Sequence, residues 1–309
     1  LIYPALWLAR SDGAVMKRWV KLTLLSVSAI IILVVLVVIP VGGSFLITNS
    51  RFSFPERDRL DPETVGLSVT EVEFTSSDGV ALRGWWDPGE SDAPAIVFVH
   101  GLNRSRLELI ERAGESRQRG YGTLLFDYRN HGDSGDAYTT LGVDESQDVC
   151  AAIQFVDGIS PGREKIIWGV SLGGSTAILA AARCGGVSGV VADSAFLSFE
   201  ETVSHHVGLI FRLPAFPVAS LMIFLTRMRM GFDLEDGNVE RAVGNLPTVP
   251  MLFIAGSEDR RMPPDRAERL YQASANPLSE VLVVEGAGHG RAFRQAPELY
   301  LDTVFAFIG

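Results

Sequence analysis

Three features of the sequence predict an α/β protein: a mostly parallel central sheet flanked by helices, a helical cap insertion and an N-terminal transmembrane helix. Short apolar runs of strand length alternate with helical stretches from about residue 95 to the end, the rhythm of a parallel sheet covered on both faces. Between residues 192 and 250 that rhythm stops, for a stretch too long to be a simple connection. Residues 22–39 form an uncharged run of 18 residues near the amino terminus.

As a helix that run is roughly 27 Å long, against a bilayer hydrocarbon core of about 30 Å. Uncharged sequence continues to Ser50, so an anchor over 22–46 with a linker over 47–66 is the expected division. A cleaved signal peptide is the rival reading, because Val41-Gly42-Gly43 offers small residues for cleavage. Met16-Lys17-Arg18 reads as a natural start, which would leave residues 1–15 as an over-extended reading frame or a short tail. Arg10, Lys17, Arg18 and Lys21 outweigh Asp12 before the run. Residues 1–21 are therefore expected in the cytoplasm and the bulk of the chain on the extracytoplasmic side, as a single-pass membrane protein. Beyond the anchor the chain is acidic within a total net charge of −10, so no basic stripe suits nucleic acid.

The elements follow in order across 67–309. Residues 67–74 alternate apolar and polar and read as a half-buried strand. Ser77-Asp78-Gly79 is a hairpin signal, and 80–86 returns as the second strand. Trp85 and Trp86 are expected to pack between sheet and helices. Strands are expected at 95–99, 122–126, 165–168, 189–192, 250–255 and 280–284. Helices are expected at 104–119, 144–156, 175–184, 264–274 and 297–308. The cap is placed at about 195–248. Its apolar centre, 213–225, is too short to span a bilayer and is flanked by Arg212, Arg227 and Arg229. It reads as a helix over the sheet; the sharper alternative is a lid touching the membrane surface. Cys150 and Cys184 fall on predicted helices and spell neither a metal site nor a disulfide framework, although a bridge between them is possible on the exported side.

Ligands of open parallel sheets bind at the carboxyl ends of strands. His100, Asp127, Ser171, Asp193, Glu258, Asp259 and His289 all follow predicted strands there. Ser171 sits in Gly169-Val170-Ser171-Leu172-Gly173, between an apolar strand and an Ala-rich helix, the setting of a nucleophile elbow. A serine hydroxyl needs a base to take its proton, and the base needs a partner to fix its tautomer. Ser171, Asp259 and His289 supply those types in the order Ser, Asp, His; Asp193 is the second candidate for the acid. His205 and His206 in the cap lack an acid partner at metal spacing, so no metal is expected.

Five motifs in order then resemble the α/β-hydrolase superfamily, and within it the branch of serine hydrolases with small membrane-tethered members. They are HGLNRSR at 100–106, FDYRNHGDSG at 126–135, GVSLGG at 169–174, GSED at 256–259 and GAGH at 286–289. The resemblance spans about residues 71–308. It implies an α/β-hydrolase fold with Ser171 as nucleophile, His289 as general base and Asp259 as its orienter. It also implies an oxyanion hole from the backbone N–H groups of Leu102 and Leu172, with His100 structural. Asn130 stands where the family usually has Gly, and Asn tolerates a left-handed backbone. The His-Gly turn lacks the extra glycines of lipase-type loops.

The expected activity is hydrolysis of a carboxylic ester or thioester through an acyl-enzyme. The substrate would be a small acyl compound, with a lipid-like acyl group favoured by the cap and anchor. No cofactor is expected, since the serine supplies the nucleophile. Small peptides on the same fold, or a non-catalytic binding role, are the alternatives. Neither the natural substrate nor the oligomeric state is legible in the sequence.

Overall fold

The computed structural model describes residues 5–49 and 61–309. Residues 50–60, most of the expected linker, lie outside the described residues, as do 1–4. Helix α1 (Ala5–Leu33) runs through a π turn (Val34–Val38) into α2 (Ile39–Thr48). The apolar part, Val15–Thr48, has the length and composition to cross a membrane. It ends two residues beyond the expected anchor. The expected linker also ends early: Pro62–Val65 form a 3₁₀ turn, and Val65 packs into the core.

Eight strands make one sheet in the order β1-β2-β4-β3-β5-β6-β7-β8. β1 (Thr70–Thr75) and β2 (Ala81–Asp87) form the expected hairpin, and both β1–β2 and β2–β4 pairings are antiparallel. The expected first strand starts later than residue 67. Leu67 is buried outside it, and the Ser68 N–H donates to Asp87. β3 (Ala95–Val99), β4 (Gly122–Phe126), β5 (Lys165–Val170), β6 (Gly189–Asp193), β7 (Met251–Gly256) and β8 (Glu280–Val284) run parallel.

The helices after α2 are α3 (Ile110–Gln118), α4 (Glu145–Ile159), α5 (Leu172–Cys184), α6 (Phe199–His206), α7 (Ala215–Met230), α8 (Val239–Gly244), α9 (Asp265–Ala273), α10 (Ala292–Gln295) and α11 (Pro297–Ile308). Successive strand side chains point to opposite faces, and the core divides accordingly. Val97 and Ile167 face the layer holding α4, α5 and the cap. Phe98 and Trp168 face the layer holding α3 and α11. Both sides of the sheet are covered, which is why the central strands are apolar at every second position on both faces.

Between β6 and β7 lie α6, a π turn (Val207–Phe211), α7 and α8, with no strand among them. The apolar centre, 213–225, falls mainly on α7. Val218, Ala219, Met222 and Ile223 are its buried side. Cys150 on α4 and Cys184 at the end of α5 are joined by a disulfide. A separation of 34 residues carries no pairing signal; only the packing of α4 on α5 brings them together.

Candidate functional site

The register sets the site. Val99 pairs with Gly169, Gly169 with Ala192, and Ala192 with Phe253. The carboxyl ends of β3, β5, β6 and β7 are therefore level, and the loops that leave them meet at one rim.

Ser171 stands between β5 and α5 at φ 57° and ψ −117°, a conformation that is costly for a residue with a Cβ. The surroundings impose it. A Cβ on Gly169 would overlap the Gly173 carbonyl, and a Cβ on Gly173 would overlap the Val99 carbonyl. Only glycine at both positions lets strand, turn and helix approach this closely. The Ser171 N–H donates to the Asp193 carbonyl at 2.7 Å, which fixes the turn.

His289, in the loop after β8, bridges two groups. Its Nε2 lies 2.9 Å from Ser171 Oγ, and its Nδ1 lies 2.7 Å from Asp259 Oδ2. A carboxylate can only accept, so Nδ1 carries the proton and Nε2 accepts from the serine hydroxyl. The other Asp259 oxygen accepts the N–H groups of Arg261 and Met262, both at 2.8 Å. The Asp259 side chain is fully buried, while that of His289 is 15% exposed. Ser171, His289 and Asp259 thus form one hydrogen-bonded chain from the solvent rim into the protein.

Asp193, the second candidate for the acid, is engaged elsewhere. It accepts from Tyr300 Oη at 3.0 Å and from Ser194 Oγ at 2.9 Å, and burial raises its pKa. Ser194 Oγ in turn accepts the Gly290 N–H at 3.1 Å. Asp193 therefore steadies the backbone beside His289 without touching the ring.

The turn after β3 lies against Ser171. A Cβ on Gly101 would sit 3.5 Å from the Ser171 Cβ. Glu108 Oε2 accepts the Gly101 N–H at 2.6 Å and His131 Nε2 accepts the Asn103 N–H, so the amide between them, that of Leu102, has no acceptor among the described residues. Leu172 opens α5, and an N–H in the first turn of a helix has no acceptor within that helix.

His100 is fully buried. Its Nε2 accepts the Tyr128 N–H at 3.1 Å, so its Nδ1 donates to the Gly101 carbonyl at 2.8 Å. His131 repeats the arrangement, with Nε2 accepting from the Asn103 N–H and Nδ1 donating to the Arg129 carbonyl. Asn130 is left-handed at φ 61°, a backbone that asparagine tolerates. In the cap, His205 Nε2–H donates to the Arg260 carbonyl at 2.8 Å, and His206 Nδ1–H donates to the Thr202 carbonyl. Sequence reasoning passed over Glu108, His131 and Ser194. Glu108 reads as one polar face of a helix, and only the fold shows that it accepts a backbone amide.

Burial pushes both the His100 and His131 imidazoles below the usual histidine value. Depressed values mean the folded state binds fewer protons than the unfolded chain. Their stabilising contribution is complete above about pH 6.5 and is lost as the pH falls below it. Burial raises Asp127 and Glu145 and so acts in the opposite sense. A variant comparison isolates the histidine contribution. His131→Gln is expected to lower the Tm at pH 7.5 and to flatten its decline between pH 7 and 5. Thermal unfolding in detergent micelles checks this, and parallel curves for variant and wild type would contradict it.

YqkD of Bacillus subtilis, a protein of uncharacterised function, is 25% identical over 245 residues, 78% of this chain and 80% of its own. The thiohydrolase aneE of Aspergillus aculeatus is 42% identical over 122 residues, 37% of each chain. In one crystal form the Pyrococcus furiosus esterase Pf2001 matches with a TM-score of 0.67 at 26% identity, over 81% of this chain and 94% of its own. A model described as the alpha/beta hydrolase family matches residues 96–303, which hold Ser171, Asp259 and His289. With two thirds of its length matched by that model and its sheet ordered as described, the chain belongs to the alpha/beta hydrolase family.

Proposed function

We propose that the protein is a membrane-anchored serine hydrolase that cleaves a carboxylic ester or thioester through an acyl-enzyme. The hydrogen-bonded chain Ser171–His289–Asp259 carries this reading. Ser171 Oγ attacks the acyl carbon as its proton passes to His289 Nε2. Asp259 holds Nδ1–H and stabilises the imidazolium that forms. The N–H groups of Leu102 and Leu172 receive the oxyanion. Collapse of the tetrahedral intermediate expels the alcohol or thiol, which takes the proton from Nε2. Water, deprotonated by the same nitrogen, then releases the acid and restores Ser171. The names of the esterase and the thiohydrolase among the similar proteins favour these two acyl classes.

The anchor reading has separate support. The outer end of the apolar helix is built into the folded body: Arg229 on α7 bonds Ser44 and Thr48, and Gly43 lies against Met222. Cleavage near Val41-Gly42-Gly43 would leave that segment cut from its own helix. The Cys150–Cys184 bridge suits an oxidising, extracytoplasmic compartment.

The test is a fluorophosphonate probe on the full chain, followed by a panel of p-nitrophenyl esters from acetate to palmitate, acyl thioesters and aminoacyl anilides. Labelling that depends on Ser171, with turnover of esters or thioesters, is expected. Turnover of anilides alone would make the protein a peptidase. A folded but unlabelled and inactive wild type would make it a binding protein.

Glu108 gives a separate expectation. Glu108→Ala frees the Gly101 amide and loosens the turn that presents Leu102. One oxyanion donor is worth about 10²–10³ in turnover, so partial misplacement should lower kcat about 10–100-fold with KM little changed. Glu108→Gln keeps the accepting oxygen and should recover most of the loss. Steady-state kinetics on a short ester checks both variants, and wild-type kcat in Glu108→Ala would remove Glu108 from this role.

A further inference from the structure

We propose that the cap docks into the same bilayer the anchor crosses, through the exposed apolar residues of the π turn 207–211 and of α7, and that the acyl substrate reaches Ser171 from that leaflet. This rests on the anchored reading above.

The first observation is a mismatch between the anchor and the body it carries. Lys21 is the last charge before the apolar run. A hydrocarbon core of about 30 Å takes up about 20 helical residues, which places its far boundary near Val41. Val35 and Ile39 lie inside that boundary, yet both pack on the cluster that includes Val218, Ala219, Met222 and Ile223 of α7. Helix α7 must therefore accompany the anchor roughly 9 Å into the apolar layer, within the 5–10 Å reached by interfacial helices. Helix tilt lengthens the path through the bilayer and only deepens this overlap.

The second observation is the surface of the cap. Leu209, Ile210 and Phe211 are exposed, as are Phe216, Phe224 and Met228. Phe224 and Met228 are four residues apart on one face of α7, opposite its buried side. Residues 202–232 contain three arginines and no carboxylate, in a chain whose net charge is −10. Such a surface would be a liability in water, and it suits the boundary between acyl chains and phosphate headgroups. Arg229 joins the two parts. Its guanidinium bonds Ser44 and Thr48 and lies 3.7 Å over the Phe45 ring, just beyond the boundary expected near Val41. There it can reach the headgroups while its stem stays in apolar surroundings.

The third observation links this surface to the site. Helix α6 ends at His206, and His205 donates to the Arg260 carbonyl, next to Asp259. The next residues are the exposed turn with Leu209, Ile210 and Phe211. The carboxyl end of α6 thus sits beside the Asp259 loop and leads directly into the exposed apolar turn.

The test uses the full chain in vesicles of phosphatidylcholine and phosphatidylglycerol. Single cysteines (Ile31→Cys, Ile210→Cys, Phe224→Cys and Leu278→Cys) carry a nitrobenzoxadiazole label, since both native cysteines are paired. Leu278 is exposed just before β8, at the amino end of a parallel strand, whereas the cap leaves the carboxyl end of β6. Lipids with a doxyl group near the headgroup should quench the labels at 210 and 224 and leave 278 unaffected, while a mid-chain doxyl quenches 31. Quenching at 31 with 210 and 224 behaving like 278 would overturn the docking and leave the anchor intact. No quenching at 31 would remove the anchor and the docking with it. As a second readout, the double variant Ile210→Asp, Phe224→Asp should lose about tenfold or more on a long-acyl ester held in the bilayer, because a carboxylate is costly in the apolar layer. Its hydrolysis of p-nitrophenyl acetate should match wild type. Equal loss on both substrates, or loss on neither, would overturn the proposal.

Discussion

Ser171→Ala is expected to lower kcat by about 10⁴–10⁶-fold and to abolish fluorophosphonate labelling, with the fold intact. The size follows from chemistry. Without the hydroxyl no acyl-enzyme can form, and His289 and Asp259 are left with nothing to activate but water. Residual rate would come from the oxyanion donors and from binding alone. The substitution costs little in folding. Ser171 Oγ bonds His289 at the rim, and the turn itself is held by the Ser171 N–H on the Asp193 carbonyl, which alanine keeps. The positive φ was already borne by a residue with a Cβ. Turnover of p-nitrophenyl acetate, with circular dichroism as the folding control, checks the outcome. A loss of less than about tenfold would place the nucleophile elsewhere.

Asp259→Asn should cost about 10⁴-fold in kcat through the tautomer of His289. One Asp259 oxygen accepts two backbone amides, and the other accepts His289 Nδ1–H. Asparagine has one acceptor for those three donors. If its oxygen satisfies the Arg261 and Met262 amides, its NH₂ faces Nδ1 and requires that nitrogen to be unprotonated. The proton then sits on Nε2, which can no longer take the one from Ser171. If the amide turns the other way, the Arg261 and Met262 N–H groups lose their partner, and the buried one, that of Met262, costs about 1–3 kcal/mol. Kinetics together with the imidazole N–H resonances of ¹⁵N-histidine-labelled protein separate the two outcomes. Unchanged kcat would remove Asp259 from the reaction.

The sheet was largely legible in the sequence because strands buried on both faces are short unbroken apolar runs. The runs 95–99, 122–126 and 280–284 coincide with β3, β4 and β8. The strand ends also indicated which polar residues could meet, since level parallel strands bring their following loops to one rim. Less legible was whatever depends on packing between distant segments. Pro62–Val65 read as linker, because nothing in Pro-Glu-Thr-Val announces that Val65 fills a gap beside Gly114. The Cys150–Cys184 pair and the bonds of Arg229 to Ser44 and Thr48 of α2 depend on helices meeting side by side. Glu108, His131 and Ser194 each accept a backbone amide from another segment, so their residue types gave no sign of where they would act. In the cap, the apolar centre was evident, whereas its exposed and buried sides emerge only from the course of α7.

The central claim is that acyl transfer passes through Ser171 Oγ. Rapid acid quench of the full chain during turnover of p-nitrophenyl butyrate, followed by peptide mass spectrometry, tests it most directly. The account predicts a butyryl adduct of about 70 Da on the peptide containing Ser171, present in Asp259→Asn at a lower rate and absent in Ser171→Ala. Turnover with no adduct on Ser171, or with the acyl group carried by another residue, would contradict it.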